Sequence, residues 1–269
     1  MKTLAISMWY NEAALAHYFL KHYSYMTKII ILLDSDTNDS TEEIINQYLN
    51  TQIIKFTFPE HKVDEDIKAK MIRDTYKQFR STEHWDCSSS YDWIFNVDAD
   101  ELIMPKNYEN IFTFLGRANS NKSNLIYADI LQVYRNIKES DLVWKDIQDE
   151  KIVYQRRYGT RNFFLDNHFN DTLYIKPIVV KPNLPIIWSP GNHNIICGKE
   201  YLKEFPEKMI GGHWAMADLD IAIERRIKGR KERQSKNNIE KSYNVHQYNI
   251  NSESLKAECE LHLFDERVF

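Results

Sequence analysis

Three carboxylates follow a predicted buried strand near the middle of the chain. The stretch Trp93–Val97 is mostly apolar and aromatic, and Asp98, Asp100 and Glu101 come directly after it. Carboxylates crowded in an apolar setting repel one another and raise one another's pKa values. A divalent cation such as Mg²⁺ or Mn²⁺ relieves that repulsion and can also bind phosphate oxygens. The pattern therefore predicts a metal site for a phosphorylated ligand, although a solvated acidic turn would have the same residue types.

A second acidic segment follows an aliphatic run, Lys28–Leu33. Asp34 and Asp36 come at its end, and Asp39 and Ser40 precede a predicted helix. We expect Asp34 to accept hydrogen bonds from a base or a ribose. Asp39 and Ser40 are better explained as residues that cap the helix.

Basic residues concentrate in two places. Lys70 and Arg73 share the face of a predicted helix that lies opposite its apolar stripe, where they could meet a base, a phosphate or only solvent. A second group crowds into residues 225–236 and includes Lys228 and Arg230. That group is typical of a solvated helix, of a phosphate clamp, or of a surface attracted to an anionic membrane, and all three interpretations stay open.

Two histidines have glycine neighbours. His193 follows Gly191-Asn192, and His213 follows Gly211-Gly212. Glycine lets the backbone approach a ligand closely. A neutral imidazole can complete a metal site begun by carboxylates, although a histidine is more often structural.

The elements that must position these residues form an alternating pattern. Four predicted strands, at Leu4–Met8, Lys28–Leu33, Gln52–Phe58 and Trp93–Val97, are separated by three helical segments. This order predicts a doubly wound α/β fold around a mostly parallel sheet. Ligands bind beyond the carboxyl ends of such strands, where Asn11, Glu12, Asp34 and Asp98 would meet. After Pro105 we expect a mixed region, with strands at Leu125–Tyr134, Leu173–Lys181 and Ile186–Trp188 and a long basic helix at Ala217–Ser235.

Composition excludes several classes of protein. The chain has 269 residues, 43% hydrophobic and 28% charged, which is typical of a globular protein. GxGxxG and P-loop motifs are absent, and a net charge of −4 argues against a general nucleic-acid binder. The three cysteines are far apart, which excludes a cysteine-based zinc or disulfide framework. We expect a cytoplasmic protein; composition does not predict its oligomeric state.

The ordered set of motifs resembles the family-2-like glycosyltransferases of the GT-A fold, especially the bacterial group that modifies cell-surface glycans. The resemblance covers roughly residues 3–236. In the segment after the second strand, Ser35 and Thr37 depart from the family's pattern, which has Asn and Ser at these two positions. The matching segments are Tyr10-Asn11-Glu12, Asp34–Thr41, Asp98–Glu101, Lys176–Val179, His193 and His213-Trp214.

The resemblance implies a GT-A-like domain over residues 1–236. Residues 1–104 would be its Rossmann-like nucleotide half, 105–236 its acceptor half, and 237–269 an extension. It implies an inverting transfer of sugar from a nucleotide-diphosphate sugar to a hydroxyl of a glycan or glycolipid, such as lipopolysaccharide or capsule. The basic helix could touch the inner membrane surface.

The resemblance also implies roles for individual residues. Asp98, Asp100 and His213 would hold Mn²⁺ or Mg²⁺, and Asp98 would also contact the diphosphate. Asp34, with Lys70 or Arg73, would contact the base beside Asn11 and Glu12. Lys228 or Arg230 would steady the leaving diphosphate. The candidates for the catalytic base are Glu101, Asp166, Asp171 and His193.

Two alternatives stay open. Asp34-Ser35-Asp36-Thr37 is similar to the DxDxT start of haloacid-dehalogenase-type phosphohydrolases, with Asp34 as nucleophile, Asp36 as acid and Mg²⁺ at Asp98 and Asp100. The chain could also bind a sugar nucleotide without turnover.

Overall fold

The computed structural model describes residues 1–79, 91–106, 109–135, 152–155, 174–192, 194–216, 219–243 and 250–261. Within them, a nine-stranded sheet has the order β3-β2-β1-β4-β8-β6-β11-β5, with β7 paired to β6, and β9 and β10 form a separate hairpin. The strands are β1 Thr3–Trp9, β2 Lys28–Asp34, β3 Thr51–Phe56, β4 Trp93–Asn96, β5 Glu101–Pro105, β6 Leu125–Arg135, β7 Ile152–Gln155, β8 Tyr174–Val180, β9 Ile187–Trp188, β10 Ile195–Ile196 and β11 Met209–Met216. The α-helices are α1 Ala13–His22, α2 Thr41–Ile45, α3 Glu65–Phe79, α4 Ile111–Ser120, α5 Leu219–Ile223, α6 Lys236–Glu240 and α7 Ser252–Leu261. A π-helix spans Glu224–Lys231.

The first four strands form the parallel half of the sheet. β1 pairs with both β2 and β4, and β2 pairs with β3, all in parallel. β1 and β2 are buried at nearly every position, as strands covered on both faces must be. Their carboxyl ends therefore meet at one edge, where Asp34 and the Asp98 turn emerge.

Helices cover both faces of the sheet. One core contains Phe19 of α1, Ile45 of α2 and Phe114 of α4, and the other contains Ile72 and Tyr76 of α3. The predicted doubly wound α/β class is confirmed.

The second half of the sheet is mixed, also as predicted. β8 lies antiparallel between β4 and β6, and β11 pairs in parallel with β6 and antiparallel with β5. β5, β11 and α4 were not predicted. The β5–β11 pair matters most, because its register places His213 opposite Glu101.

Several local predictions were wrong. Asn11 has a residue type and a position that predict an N-cap for α1, but it makes no capping bond: it has a positive φ of 50°, and its amide exchanges hydrogen bonds with Asn38. Ser40 makes no capping bond to α2, because the Asp39 carboxylate accepts the Thr41 N–H instead. The apolar pattern of Ile44, Ile45 and Leu49 predicts a helix that continues to Leu49, but α2 ends at Ile45 and Leu49 is fully exposed.

The predicted helix Ala217–Ser235 is a short α-helix followed by the π-helix. In the described part of the chain, no helix has the length and apolar character needed to cross a membrane.

Candidate functional site

The turn between β4 and β5 holds the predicted acidic motif. The Asp98 N–H donates to Glu101 Oε2 (2.9 Å), and the Glu101 N–H donates back to the Asp98 carbonyl (3.0 Å). From β11, the Trp214 N–H donates to the Asp100 carbonyl (2.8 Å). From α1, the buried Tyr23 hydroxyl donates to the Glu101 carbonyl (3.0 Å). Elements distant in sequence therefore fix this turn on several sides.

A buried lysine of β8 neutralises part of the turn. Lys176 Nζ lies 2.7 Å from Asp98 Oδ2 and 2.8 Å from Glu101 Oε1. Burial alone would raise the pKa of Asp98, but Lys176 and Lys68 outweigh it and hold the pKa below its usual range. Burial raises the pKa of Glu101 despite Lys176. One buried lysine therefore contacts both carboxylates of the turn.

Asp100 belongs to a chain of charged groups. Its Oδ2 lies 3.1 Å from His213 Nε2 and 2.8 Å from an Arg225 nitrogen, and Arg225 also pairs with Glu12. Burial opposes ionisation of Asp100, but Arg225 and His213 hold its pKa well below the usual range. Burial raises the pKa of Glu12 to about 8, although Arg225 partly offsets this. Asp100 Oδ1 is buried and has no hydrogen-bond partner among the described residues.

The π-helix explains how two arginines reach this cluster. Its hydrogen bonds join residues five apart, as in the bond from the Glu232 N–H to the Ile227 carbonyl (2.9 Å). This winding brings Arg225 and Arg230 toward the same side, whereas an α-helix would separate them. Burial lowers the pKa of Arg230, but the nearby carboxylates of Asp100 and Asp98 outweigh it and raise the pKa.

The inner face of α3 supplies another cation. Lys68 Nζ lies 3.5 Å from Asp98 Oδ1, and its side chain is 13% exposed. It shares this face with the buried residues Glu65, Ala69 and Ile72. The site therefore contains Lys68 rather than the predicted Lys70 or Arg73.

Asp34 lies in a second cluster at the same edge of the sheet. Arg233 donates to Asp34 Oδ2 (2.7 Å) and Asp36 Oδ2 (2.9 Å), and its guanidinium stacks on Tyr10, 3.9 Å from the ring centre. Asp34 Oδ1 accepts the Asp36 N–H (3.1 Å), and the exposed His61 pairs with Asp36. Both oxygens of the buried Asp34 are thus engaged within the protein.

The structure places other predicted site residues away from the acidic turn. Lys70 is exposed, Arg73 pairs with Asp74, and the exposed Lys228 pairs with Glu224. Asn11 joins Asn38. Three base candidates, Asp166, Asp171 and His193, lie outside the described residues.

No protein-family model matches this chain, and no curated protein matches its sequence. Three solved structures are similar to the chain in fold. A 4-diphosphocytidyl-2C-methyl-D-erythritol synthase is 9% identical over 68% of this chain and 76% of its own, with a TM-score of 0.36. A Bacillus anthracis protein described as a glucose-1-phosphate thymidylyltransferase, in complex with sucrose, is 11% identical over 67% and 71%, with a TM-score of 0.35.

The third is core-mannan synthase A of Aspergillus fumigatus in its Mn/GDP form. It is 12% identical over 55% of this chain and 46% of its own, with a TM-score of 0.26. Likeness this distant says nothing about activity, so function has to be inferred from the chain's own site.

Sequence reasoning gave no individual role to four cations that lie in the two clusters. Lys68 shares the helical spacing of the buried residues of α3, which could have revealed it. Lys176 lies within an apolar strand, where a lysine needs a buried partner. Arg225 and Arg233 belonged to the basic group, but an α-helical projection could not select them.

Some of the predicted donors fit a divalent metal ion. Asp100 and His213 are adjacent, their oxygen and nitrogen donors suit Mn²⁺ or Mg²⁺, and Asp100 Oδ1 is buried without a partner among the described residues. No group of three or more such side chains in the described residues is arranged to hold a metal by itself. Mg²⁺ commonly binds through one or two protein ligands together with substrate phosphates. Both oxygens of Asp98 face lysines, so its role as a metal ligand stays a prediction.

Proposed function

We propose that this chain is a glycosyltransferase that takes a sugar from a nucleotide-diphosphate sugar with the help of a divalent metal. The observation that carries the proposal is the Asp100–His213 pair, with its unpartnered buried oxygen, in the ionic cluster that the described residues form at the carboxyl edge of the parallel strands. This edge is where open α/β sheets bind their ligands.

The charge of the cluster suits a diphosphate. Four cations, Lys68, Lys176, Arg225 and Arg230, surround the carboxylates of Asp98, Asp100, Glu101 and Glu12. Four cations balance four carboxylates even when all of them are ionised, and burial raises the pKa of Glu12 to about 8, so the cluster is neutral or positive rather than negative. A diphosphate, alone or with a metal ion, can enter without meeting a net charge of its own sign.

The residues then have distinct tasks. Asp100 and His213 would hold the metal, which supplies Lewis-acid stabilisation of the departing diphosphate. Arg230 and Lys68 donate to phosphate oxygens as negative charge develops there. Arg225, held by Glu12, keeps the Asp100 carboxylate in place.

The catalytic base should deprotonate the acceptor hydroxyl for a single inverting displacement. Glu101 is 1% exposed, and both of its oxygens accept hydrogen bonds from Lys176. We therefore favour Asp166, Asp171 or His193 for this role. We place the nucleoside beside the Asp34–Arg233 cluster, with Tyr10 and Asp36 at its border.

The acceptor class, a surface glycan or glycolipid, follows only from the resemblance of the sequence. Membrane contact through the basic segment has less support. Arg226 is buried, Arg230 and Arg233 turn inward, and the exposed Lys228 pairs with Glu224.

The phosphohydrolase alternative requires Asp34 to attack a phosphoryl group. Asp34 is 1% exposed, and its oxygens are engaged by Arg233 and by the Asp36 N–H. A nucleophile needs an accessible lone pair, so the geometry disfavours this alternative.

Ligand-induced thermal stabilisation tests the proposed site. UDP, GDP, CDP and CMP are screened with and without Mn²⁺ against the wild type, Asp100→Asn, and the control Asp74→Asn, which changes a half-exposed carboxylate on α3. A ligand that binds the native state raises the unfolding midpoint. We expect metal-dependent stabilisation by one nucleotide, lost only in Asp100→Asn. No stabilisation by any nucleotide would refute the proposal, and stabilisation without turnover of any sugar nucleotide would favour a binding protein.

A further inference from the structure

A fully buried lysine stands behind the acidic turn, where it cannot touch a substrate. Lys176 is 0% exposed, and its Nζ donates to Asp98 Oδ2 (2.7 Å) and to both oxygens of Glu101 (2.8 and 2.9 Å). It projects from β8, opposite Ala128 of β6. It therefore reaches the turn from β8, whereas the turn itself joins β4 and β5.

Glu101 links Lys176 to the backbone of the turn. Glu101 Oε2 accepts the Asp98 N–H (2.9 Å), so one carboxylate receives hydrogen bonds from both the lysine and the start of the turn. Lys176 consequently fixes the Asp98 side chain directly and the Asp98 backbone through Glu101. Asp100 lies between these two anchored residues.

Stability alone does not explain the ionic triad of Lys176, Asp98 and Glu101. Burying a lysine and two carboxylates costs desolvation free energy, and well-packed apolar residues in their place are often equally or more stabilising. The triad lies in a buried part of the sheet, since Ala128, which faces Lys176 across the β6–β8 pair, and Ile178 of β8 are fully buried. An ionic group in such a core defines geometry, because its hydrogen bonds have direction and apolar contacts do not.

We propose that Lys176 is a positioning residue: it holds Asp98 and Glu101 so that the turn presents Asp100 beside His213 to the incoming diphosphate. The part of this inference that concerns ligand binding rests on the proposed function. The part that concerns the turn does not.

The test compares three variants. Lys176→Met removes the cation and leaves the buried Glu101 and the partly buried Asp98 without it. The double variant Lys176→Met/Glu101→Leu also removes the stranded Glu101 charge, which restores stability if the single variant folds poorly. The control, Lys181→Met, changes a half-buried lysine one residue beyond β8 that lies 4.1 Å over the Trp93 ring and bonds to Asn119.

Two readouts are needed. Hydrogen exchange of the peptide that spans residues 97–104 reports the order of the turn. Titration of the stabilising nucleotide with Mn²⁺, well below each variant's unfolding midpoint, reports its function. We expect faster exchange and about 10- to 100-fold weaker metal-dependent binding in both Lys176 variants, the usual effect of removing a group that orients a ligand-binding residue. Lys181→Met should change neither.

The outcomes separate the inference from the proposed function. If the double variant regains stability and binds nucleotide like the wild type, Lys176 is only structural and the inference is wrong. If the wild type binds no nucleotide, the proposed function fails, and exchange alone decides whether Lys176 orders the turn. Unchanged exchange in both Lys176 variants overturns the inference in either case.

Discussion

Removal of Arg233 tests the energetic role of the second cluster. Its side chain is 11% exposed, and it bonds to Asp34, which is 1% exposed, at 2.7 Å. Arg233→Met leaves the Asp34 carboxylate buried without its cation and also removes the stacking on Tyr10. Loss of one partner of a buried ion pair costs about 3–5 kcal/mol.

A surface pair provides the comparison. Lys55 and Glu42 are also 2.7 Å apart, but their side chains are 54% and 41% exposed. Such pairs contribute about 0–1 kcal/mol, because water already solvates both charges. The two distances are equal, so the expected difference between Arg233→Met and Lys55→Met comes from burial, with the Tyr10 stacking and the second bond to Asp36 adding to it.

The assay is urea unfolding at neutral pH for these two variants, for Asp34→Asn, and for the double variant Arg233→Met/Asp34→Asn. We expect the double variant to be more stable than the sum of the single losses predicts, because the neutral amide introduced by Asp34→Asn leaves no stranded charge. If Arg233→Met costs no more than Lys55→Met, the assignment of Arg233 as the buried partner of Asp34 is refuted.

Three further predictions follow from single residues. The pKa of Glu12 is about 8 in the folded protein and 4.5 as the reference value, so the native state keeps a proton that the unfolded state loses as pH rises between them. Wild-type stability should therefore fall over this window. Between pH 5 and pH 8, the difference in unfolding free energy between Glu12→Gln and the wild type should shift by about 3–4 kcal/mol in favour of the variant. Parallel plots of unfolding free energy against pH for the two proteins would contradict this. Lys68→Met should weaken nucleotide binding about tenfold, the loss of roughly one charge-assisted hydrogen bond, whereas titration of Lys70→Met should match the wild type. In Gly211→Ala the new Cβ would lie 2.1 Å from Ile103 Cδ1, and thermal unfolding should show a loss of about 1–3 kcal/mol.

The parallel half of the fold could be predicted because its signals are local. The apolar runs of β1 and β2 mark buried strands, and the helical segments between them dictate parallel pairing. The rule that ligands bind at the carboxyl ends of the strands then placed Asp34 and the Asp98 turn at one edge.

The rest depends on contacts between distant segments. β11 contains two glycines and a histidine, and only its pairing with β5 shows that His213 lies opposite Glu101. Lys176 approaches Asp98 across 78 residues of sequence. The π-helix changes which arginines face the cluster, and no α-helical projection could have separated Arg225 and Arg230 from Lys228.

The most direct test of the central claim is release of nucleoside diphosphate from candidate sugar nucleotides. Wild type and Asp100→Asn are incubated with UDP-, GDP- and CDP-linked sugars and Mn²⁺, with water as the default acceptor. The account predicts that one donor is cleaved to a nucleoside diphosphate and a sugar, and that Asp100→Asn loses this activity. Absence of cleavage for every donor, with hydrolysis of a simple phosphomonoester that depends on Asp34, would contradict it.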